Sequence, residues 1–202
     1  DIITEIKGKA HAILTGERTA LNFLQRLSGV ATHTSKFVEL VRDLPVLIID
    51  TRKTTPGYRL LEKYAVRMGG GHNHRLNLAD GVLIKDNHLA LLRAKGKTLK
   101  EVVIEAKKKA PKGLKVEVET TNLDEVKEAV SARADIIMFD NMSPMMMKRA
   151  VKMLPRRISS EASGGVNLDT VRAIAETGVN FISIGALTHS SKALDISLEM
   201  VK

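Results

Sequence analysis

Three polar clusters in the first half of the chain carry side chains suited to gripping an anion with several negative charges. They are Asp50-Thr51-Arg52-Lys53-Thr54-Thr55-Pro56-Gly57, then Gly69-Gly70-Gly71-His72-Asn73-His74-Arg75, then Ile84-Lys85-Asp86-Asn87-His88. Lys and Arg are mostly exposed wherever they occur, so one such cluster alone is an ordinary solvated loop. Three in succession, carrying Arg52, Lys53, His74, Arg75, Lys85 and His88, describe a cationic pocket instead. Val46-Leu47-Ile48-Ile49 and Val82-Leu83-Ile84 are apolar runs of the kind that form strands buried on both faces. A cation directly after such a strand sits at its carboxyl end, where parallel α/β folds bind ligands.

The second half supplies carboxylates and glycines. In Lys115-Val116-Glu117-Val118-Glu119 the two glutamates share one face and the valines the other. Such a pair is costly inside a sheet unless cations or a metal partner it; an edge strand with one wet face is the alternative. Glu119 and Asp140 end consecutive strands and could hold Mg²⁺, directly or through water, or accept hydrogen bonds from ribose hydroxyls. Zinc fits poorly, because the chain has no Cys and its six His are scattered. Ser163-Gly164-Gly165 precedes a helix and Gly185-Ala186 follows the next strand. Glycines there let backbone amides approach an anion, and the last two strand ends of a β/α barrel are the usual phosphate site. A phosphorylated sugar at one end, carboxylates in the middle and a cationic pocket at the other describe transfer onto, or from, a phosphoribosyl group.

The elements that position these residues follow from periodicity. Residues 1 to 14 alternate loosely and predict one or two strands. Gly16-Glu17-Arg18-Thr19 opens a helical region, with Leu21, Leu24, Leu27 and, after Gly29, Phe37, Leu40 and Val41 at roughly helical spacing, and with Arg18 in its first turn. A cation there is mildly disfavoured by the helix dipole, so Arg18 faces solvent or an anion. After Pro45, strand and helix alternate. Strands are predicted at 46–49, 82–84, 115–119, 135–139, 157–161 and 181–184. Helices are predicted over 58–68, with Leu60, Leu61, Tyr64, Ala65 and Met68 on one side, and after the capping signals Thr98/Glu101, Asn122/Glu125 and Ser143-Pro144. Another helix runs from Asn167 to Gly178, and a last one closes the chain. Right-handed crossovers then give an α/β fold with a parallel sheet, most economically a β/α barrel, incomplete at about six strands. An open doubly wound sheet is the alternative.

Composition limits the function classes. At 202 residues and 44% hydrophobic, the chain can bury a core. No apolar run approaches the ~20 residues that span a bilayer, so no membrane role is expected. The start has neither an initiator Met nor a basic-then-apolar signal pattern, and reads as a chain entered partway through. Absence of Cys suits a reducing cytoplasm. The net charge of +9 admits nucleic acid, but 3% aromatics and no Trp leave little for base stacking, and no nucleic-acid partner is expected. Lys107-Lys108-Lys109 reads as a helix end that complements the dipole.

Several longer motifs resemble one family. Glu17-Arg18-Thr19-Ala20-Leu21-Asn22, Thr51-Arg52-Lys53-Thr54, Gly69-Gly70-Gly71 with Asn73-His74-Arg75, Ile84-Lys85-Asp86-Asn87-His88, Glu117-Val118-Glu119, Asp140-Asn141, Glu161-Ala162-Ser163-Gly164-Gly165 and Gly185-Ala186-Leu187-Thr188-His189 occur in its order. Together they resemble nicotinate-nucleotide pyrophosphorylase, the decarboxylating quinolinate phosphoribosyltransferase, from about residue 15 to the end. The resemblance implies reaction of quinolinate with phosphoribosyl pyrophosphate, with Mg²⁺, to give nicotinate mononucleotide, pyrophosphate and CO₂ in NAD biosynthesis. It implies that Arg52, His74, Arg75 and Lys85 surround the quinolinate carboxylates, with Arg18 arriving from a neighbouring subunit of a homodimer or larger homo-oligomer. Lys53 would lie between substrate and pyrophosphate. Glu119 and Asp140 would address ribose hydroxyls and Mg²⁺, and Ser163, Gly164, Gly185 and His189 the 5′-phosphate. The family also has an amino-terminal sandwich domain, of which residues 1–15 would be a remnant preceding a barrel domain over 16–202. A non-decarboxylating relative acting on another ring acid, and a basic binding or scaffold module, are the competing readings.

Overall fold

The computed structural model describes residues 1–200. Its elements, in chain order, are α1 (Ala10–Val41), β1 (Leu47–Ile49), α2 (Arg59–Met68), β2 (Val82–Ile84), α3 (Asp86–Arg93), α4 (Leu99–Lys109), β3 (Val116–Thr120), α5 (Leu123–Ser131), β4 (Ile136–Asp140), α6 (Pro144–Val151), β5 (Ser159–Ser163), α7 (Val171–Ala175), β6 (Phe181–Ser183) and α8 (Ala186–His189). The six strands form one parallel sheet in the order β1-β6-β5-β4-β3-β2. That order is sequential around a circle, as in a β/α barrel, with the ring open between β1 and β2. His72 bridges Ile49 on the free side of β1, its N–H donating to Ile48 O at 2.8 Å, so the 72–75 segment runs into the gap.

Alternation along the strands divides the interior in two. Val116, Val118, Ile137, Phe139, Ala162 and Ile182 are buried towards the helices and make the core. Burying each of the larger ones stabilises the fold by about 1.5–3 kcal/mol. Leu83, Glu119, Met138, Asp140, Glu161, Ser163 and Ser183 take the opposite face and line a cleft. Strand β3 lies between β2 and β4, so the edge-strand alternative for its glutamates is excluded.

Local signals set the boundaries. Thr98 and Glu101 form a reciprocal capping box at α4, the Asn122 side chain accepts the Asp124 and Glu125 amides at α5, and Ser143 with Pro144 starts α6. The Lys107-Lys108-Lys109 run forms the last turn of α4, with Lys107 paired to Asp135 and Lys109 to Glu105.

Several sequence expectations need correction. Residues 1–9 form no strand, and α1 starts at Ala10 and runs unbroken to Val41. Arg18 therefore lies well inside the helix, and no first-turn dipole acts on it. Gly29 lies inside α1. A Cβ there would sit 2.0 Å from Lys192 O, so the glycine admits the carboxyl-terminal segment, whose Leu194 N–H donates to Gln25 O. The 85–88 cluster is not all loop: Asp86 opens α3, and His88 Nδ1 accepts the Lys85 amide at 3.0 Å as part of its cap. Strand β5 is shifted two residues towards the carboxyl end, which makes Ser163 its last residue. Helix α7 begins at Val171, after a turn in which the Asn167 side chain accepts the Asp169 and Thr170 amides. After the four residues of α8, residues 190–200 follow without the expected closing helix.

Helix α2 departs most from expectation. Leu60, Tyr64 and Met68 of its apolar side are exposed, while Glu62 and Lys63 are buried with Ala65 and Val66. Charge is buried here because each charge finds a partner inside, as the site shows.

Candidate active site

At the carboxyl ends of the strands lies a cleft of about 700 Å³. Arg52, Lys53, His74, Arg75, Lys85, Glu119, Asp140, Ser163, Gly164, Gly185 and His189 all line it. Arg18 does not; it is exposed on α1. His88 lines a separate cavity beside β2 and α4 and takes no part.

The cationic end is built on β1, β2 and the segment in the gap between them. Asp50, fully buried directly after β1, anchors it. One of its carboxylate oxygens accepts from Lys63 and from the His74 amide at 2.8 Å, and the other from Asn73 Nδ2 at 2.7 Å. Lys63 also donates to His74 O at 3.1 Å. Burial raises the Asp50 pKa and lowers that of Lys63, with each partner opposing the shift in the other. Arg75 donates Nη1 to Gly81 O at 2.9 Å, and burial lowers its pKa against the pull of Glu117. Arg52 Nε and Arg75 Nε are buried and, among the described residues, have no hydrogen-bond acceptor.

Below these cations, His74 Nε2 lies 3.2 Å from Glu117 Oε2 and 3.4 Å from Glu161 Oε2. Burial works against a proton on the ring, but hydrogen bonds to Glu117 and Glu161 outweigh it and raise His74 to about 9. Glu117 is itself pushed up by burial, with His74 pulling it back and Glu161 adding to the rise. The His74 shift means that the ring keeps its added proton at neutral pH, with Nε2–H donated between the two carboxylates. The ligand atoms of these three residues converge within 4.8 Å, as in a metal site. A ring whose Nε2 carries hydrogen is no metal ligand there.

Glu119 is held differently. Its Oε2 accepts the Asp86 amide at 3.0 Å and its Oε1 lies 3.5 Å from Lys85 Nζ. Asp140 Oδ2 accepts Asn141 Nδ2 at 3.0 Å. Two hard carboxylates in a cleft wide enough for phosphates fit Mg²⁺, which binds through one or two carboxylates plus phosphate oxygens.

The opposite end combines glycines with cations. Gly164 has φ 93°, and a Cβ on it would meet Asn141 Oδ1 at 2.2 Å. A Cβ on Gly185 would lie 3.1 Å from both His189 Nε2 and Lys53 Cδ, so the lysine and histidine converge over this glycine. Helix α7 begins only at Val171 and α8 has four residues, so side-chain cations and close backbone make this end. Behind this end, Glu62 accepts from Thr55 N–H at 3.0 Å, Thr55 Oγ1 at 2.8 Å and Arg26 at 2.7 Å. Arg26 also donates to Thr188 O and to Ser191 O at 2.6 Å, and Thr188 Oγ1 donates to Lys53 O at 2.7 Å.

Residues 30–199 match the model of the quinolinate phosphoribosyl transferase carboxyl-terminal domain. The chain belongs to the quinolinate phosphoribosyltransferase family. Residues 1–28 match the family's amino-terminal domain, so the two matches meet inside α1. A Bacillus subtilis protein named as a probable nicotinate-nucleotide pyrophosphorylase (carboxylating) is 50% identical over 200 residues, covering 99% of this chain and 68% of that one. The mitochondrial quinolinate phosphoribosyltransferase (decarboxylating) 2b of Nicotiana tabacum is 44% identical, over 97% of this chain and 59% of its own. Among solved structures, NadC from Streptococcus pyogenes superposes with a TM-score of 0.88 at 44% identity, covering 96% of this chain and 66% of that chain. The chain thus spans about two thirds or less of these phosphoribosyltransferase relatives.

Sequence motifs missed the supports of the site. Asp50 could have been read as a carboxylate directly after a buried strand, and Glu161 as a charge inside one. Nothing in the sequence marks Lys63, Glu62 or Arg26, because their partners lie on other elements.

Proposed function

We propose that the chain transfers the phosphoribosyl group of phosphoribosyl pyrophosphate to quinolinate with decarboxylation, giving nicotinate mononucleotide, pyrophosphate and CO₂. The observation that carries this reading is the polarity of one cleft. Arg52, Arg75 and Lys85 lie at the β1–β2 end, Glu119 and Asp140 in the middle, and Lys53, Gly164, Gly185 and His189 at the β5–β6 end.

Quinolinate places its carboxylates against Arg52 and Arg75, whose planar guanidinium groups line the cleft and suit a planar acid. Its ring nitrogen attacks C1′ as the bond to pyrophosphate breaks. Fixed charge stabilises both the leaving anion, next to Lys53, and the cationic ribose, next to the carboxylates, so no protein nucleophile is needed. The pyridinium then accepts the electron pair left when the carbon–carboxylate bond breaks, and a proton replaces CO₂. Mg²⁺, held by Glu119 and Asp140, would neutralise pyrophosphate charge. The absence of Cys suits a reducing compartment such as the cytoplasm, and among the described residues no helix is long and apolar enough to cross a membrane. Arg18 completes a neighbouring subunit's site in a homodimer, consistent with its exposure away from its own cleft.

The test is incubation with quinolinate, phosphoribosyl pyrophosphate and Mg²⁺. Nicotinate mononucleotide and CO₂ in equal amounts are expected. A nucleotide that keeps both carboxylates would assign a non-decarboxylating reaction.

A further inference from the structure

We propose that the neighbouring buried residues Glu62 and Lys63 of α2 are positioning residues that set the two ends of the cleft separately. Glu62 sets the phosphate end, and Lys63 the ring-acid end. The inference rests on the proposed reaction for the names of the two ligands and on geometry for the rest.

Glu62 is 0% exposed and Lys63 3%, on a helix whose apolar residues Leu60, Tyr64 and Met68 face outward. Burying adjacent opposite charges in place of that apolar side is costly, and partners on separate elements offset the cost. Glu62 grips Thr55 through both its N–H and hydroxyl, and holds Arg26 of α1. Arg26 reaches Thr188 and Ser191, and Thr188 closes the circuit on Lys53 O. Every contact in that circuit fixes either the loop bearing Lys53 or the turn bearing His189. Lys63 addresses none of these. It holds Asp50 and His74 O, and its own carbonyl accepts Asn73 Nδ2 at 2.9 Å. Those contacts fix the segment that carries His74 and Arg75 beside β1. One turn of helix thus carries two circuits that share no side chain.

A general loss of packing would weaken both ligands together, whereas two circuits predict a split. Calorimetric titration of quinolinate, and separately of phosphoribosyl pyrophosphate with Mg²⁺, reads it directly, with KM values alongside. Glu62→Gln should weaken phosphoribosyl pyrophosphate about tenfold or more and leave quinolinate within about twofold. Lys63→Met should do the reverse. Should either variant fail to fold, Thr188→Val and Asn73→Ala interrupt the same circuits at milder points and carry the same expectation. Parallel loss of both ligands in folded variants, or loss of neither, overturns the inference. Wild-type protein that binds neither ligand overturns the reaction assignment instead.

Discussion

Arg75 is the residue on which recognition of the ring acid turns. Its Nη1 is tied to Gly81 O at 2.9 Å, so the guanidinium is oriented before any ligand arrives. Truncation removes a preset bidentate donor from a desolvated pocket, and Arg75→Ala should weaken quinolinate by about 2–5 kcal/mol. Unchanged affinity in a calorimetric titration would remove Arg75 from the pocket. His74 makes a separate prediction. With Glu117 and Glu161 it keeps a proton in the folded protein, and its pKa is raised above the ordinary 6.5 to about 9. The folded state therefore binds more protons than the unfolded state between those values. That contribution to stability is fully present below about pH 6.5 and is lost as pH rises through about 9. Urea unfolding should show stability falling by up to about 1.4 kcal/mol per pH unit in that window. His74→Gln should remove this slope, and an equal slope in both proteins would refute the assignment.

At the scale of elements, what was legible and what was not have different physical causes. Capping at Thr98, Asn122 and Ser143 is local chemistry, and those helices start where their sequences say. Strands β2 and β6 are short apolar runs between polar turns, and they too were legible. Residues 1–9 mislead because scattered isoleucines resemble a strand pattern, although Ile2, Ile3 and Ile6 are exposed. Helix α2 misled because burial on its Glu62 and Lys63 side is decided by Asp50 and Arg26, outside its own sequence. The candidate residues at strand ends were legible because a parallel sheet collects such positions on one rim. Glycine at the rim carries a prediction of its own. Gly185→Ala would insert a methyl 3.1 Å from Lys53 Cδ and His189 Nε2, tighter than nine in ten real Cβ contacts, so that one of the two side chains must give way. The variant should fold, raise the KM for phosphoribosyl pyrophosphate about tenfold or more, and spare quinolinate affinity. Wild-type kinetics would show that Lys53 and His189 need not converge there.

The whole molecule is a ring open between β1 and β2, and the 72–75 segment in that opening carries half the cationic pocket. Arg18 lies on the exposed face of α1, away from this rim, which suits a role in a neighbouring copy's site. In a chain of the family's full length, Arg18→Ala and Lys53→Ala should each be nearly inactive. Mixed after subunit exchange, about half the dimers carry both variants and hold one intact site each, so about one quarter of sites should recover. No recovery after demonstrated exchange would mean that Arg18 acts in its own chain or not at all. The account's central claim is that one cleft holds a ring acid at β1–β2 and a sugar phosphate at β5–β6. A crystal structure with nicotinate mononucleotide measures this directly. The account predicts the ring carboxylate against Arg52 and Arg75, with the phosphorus beside Gly164, Gly185 and His189; the reverse orientation, or a nucleotide bound outside the cleft, would contradict it.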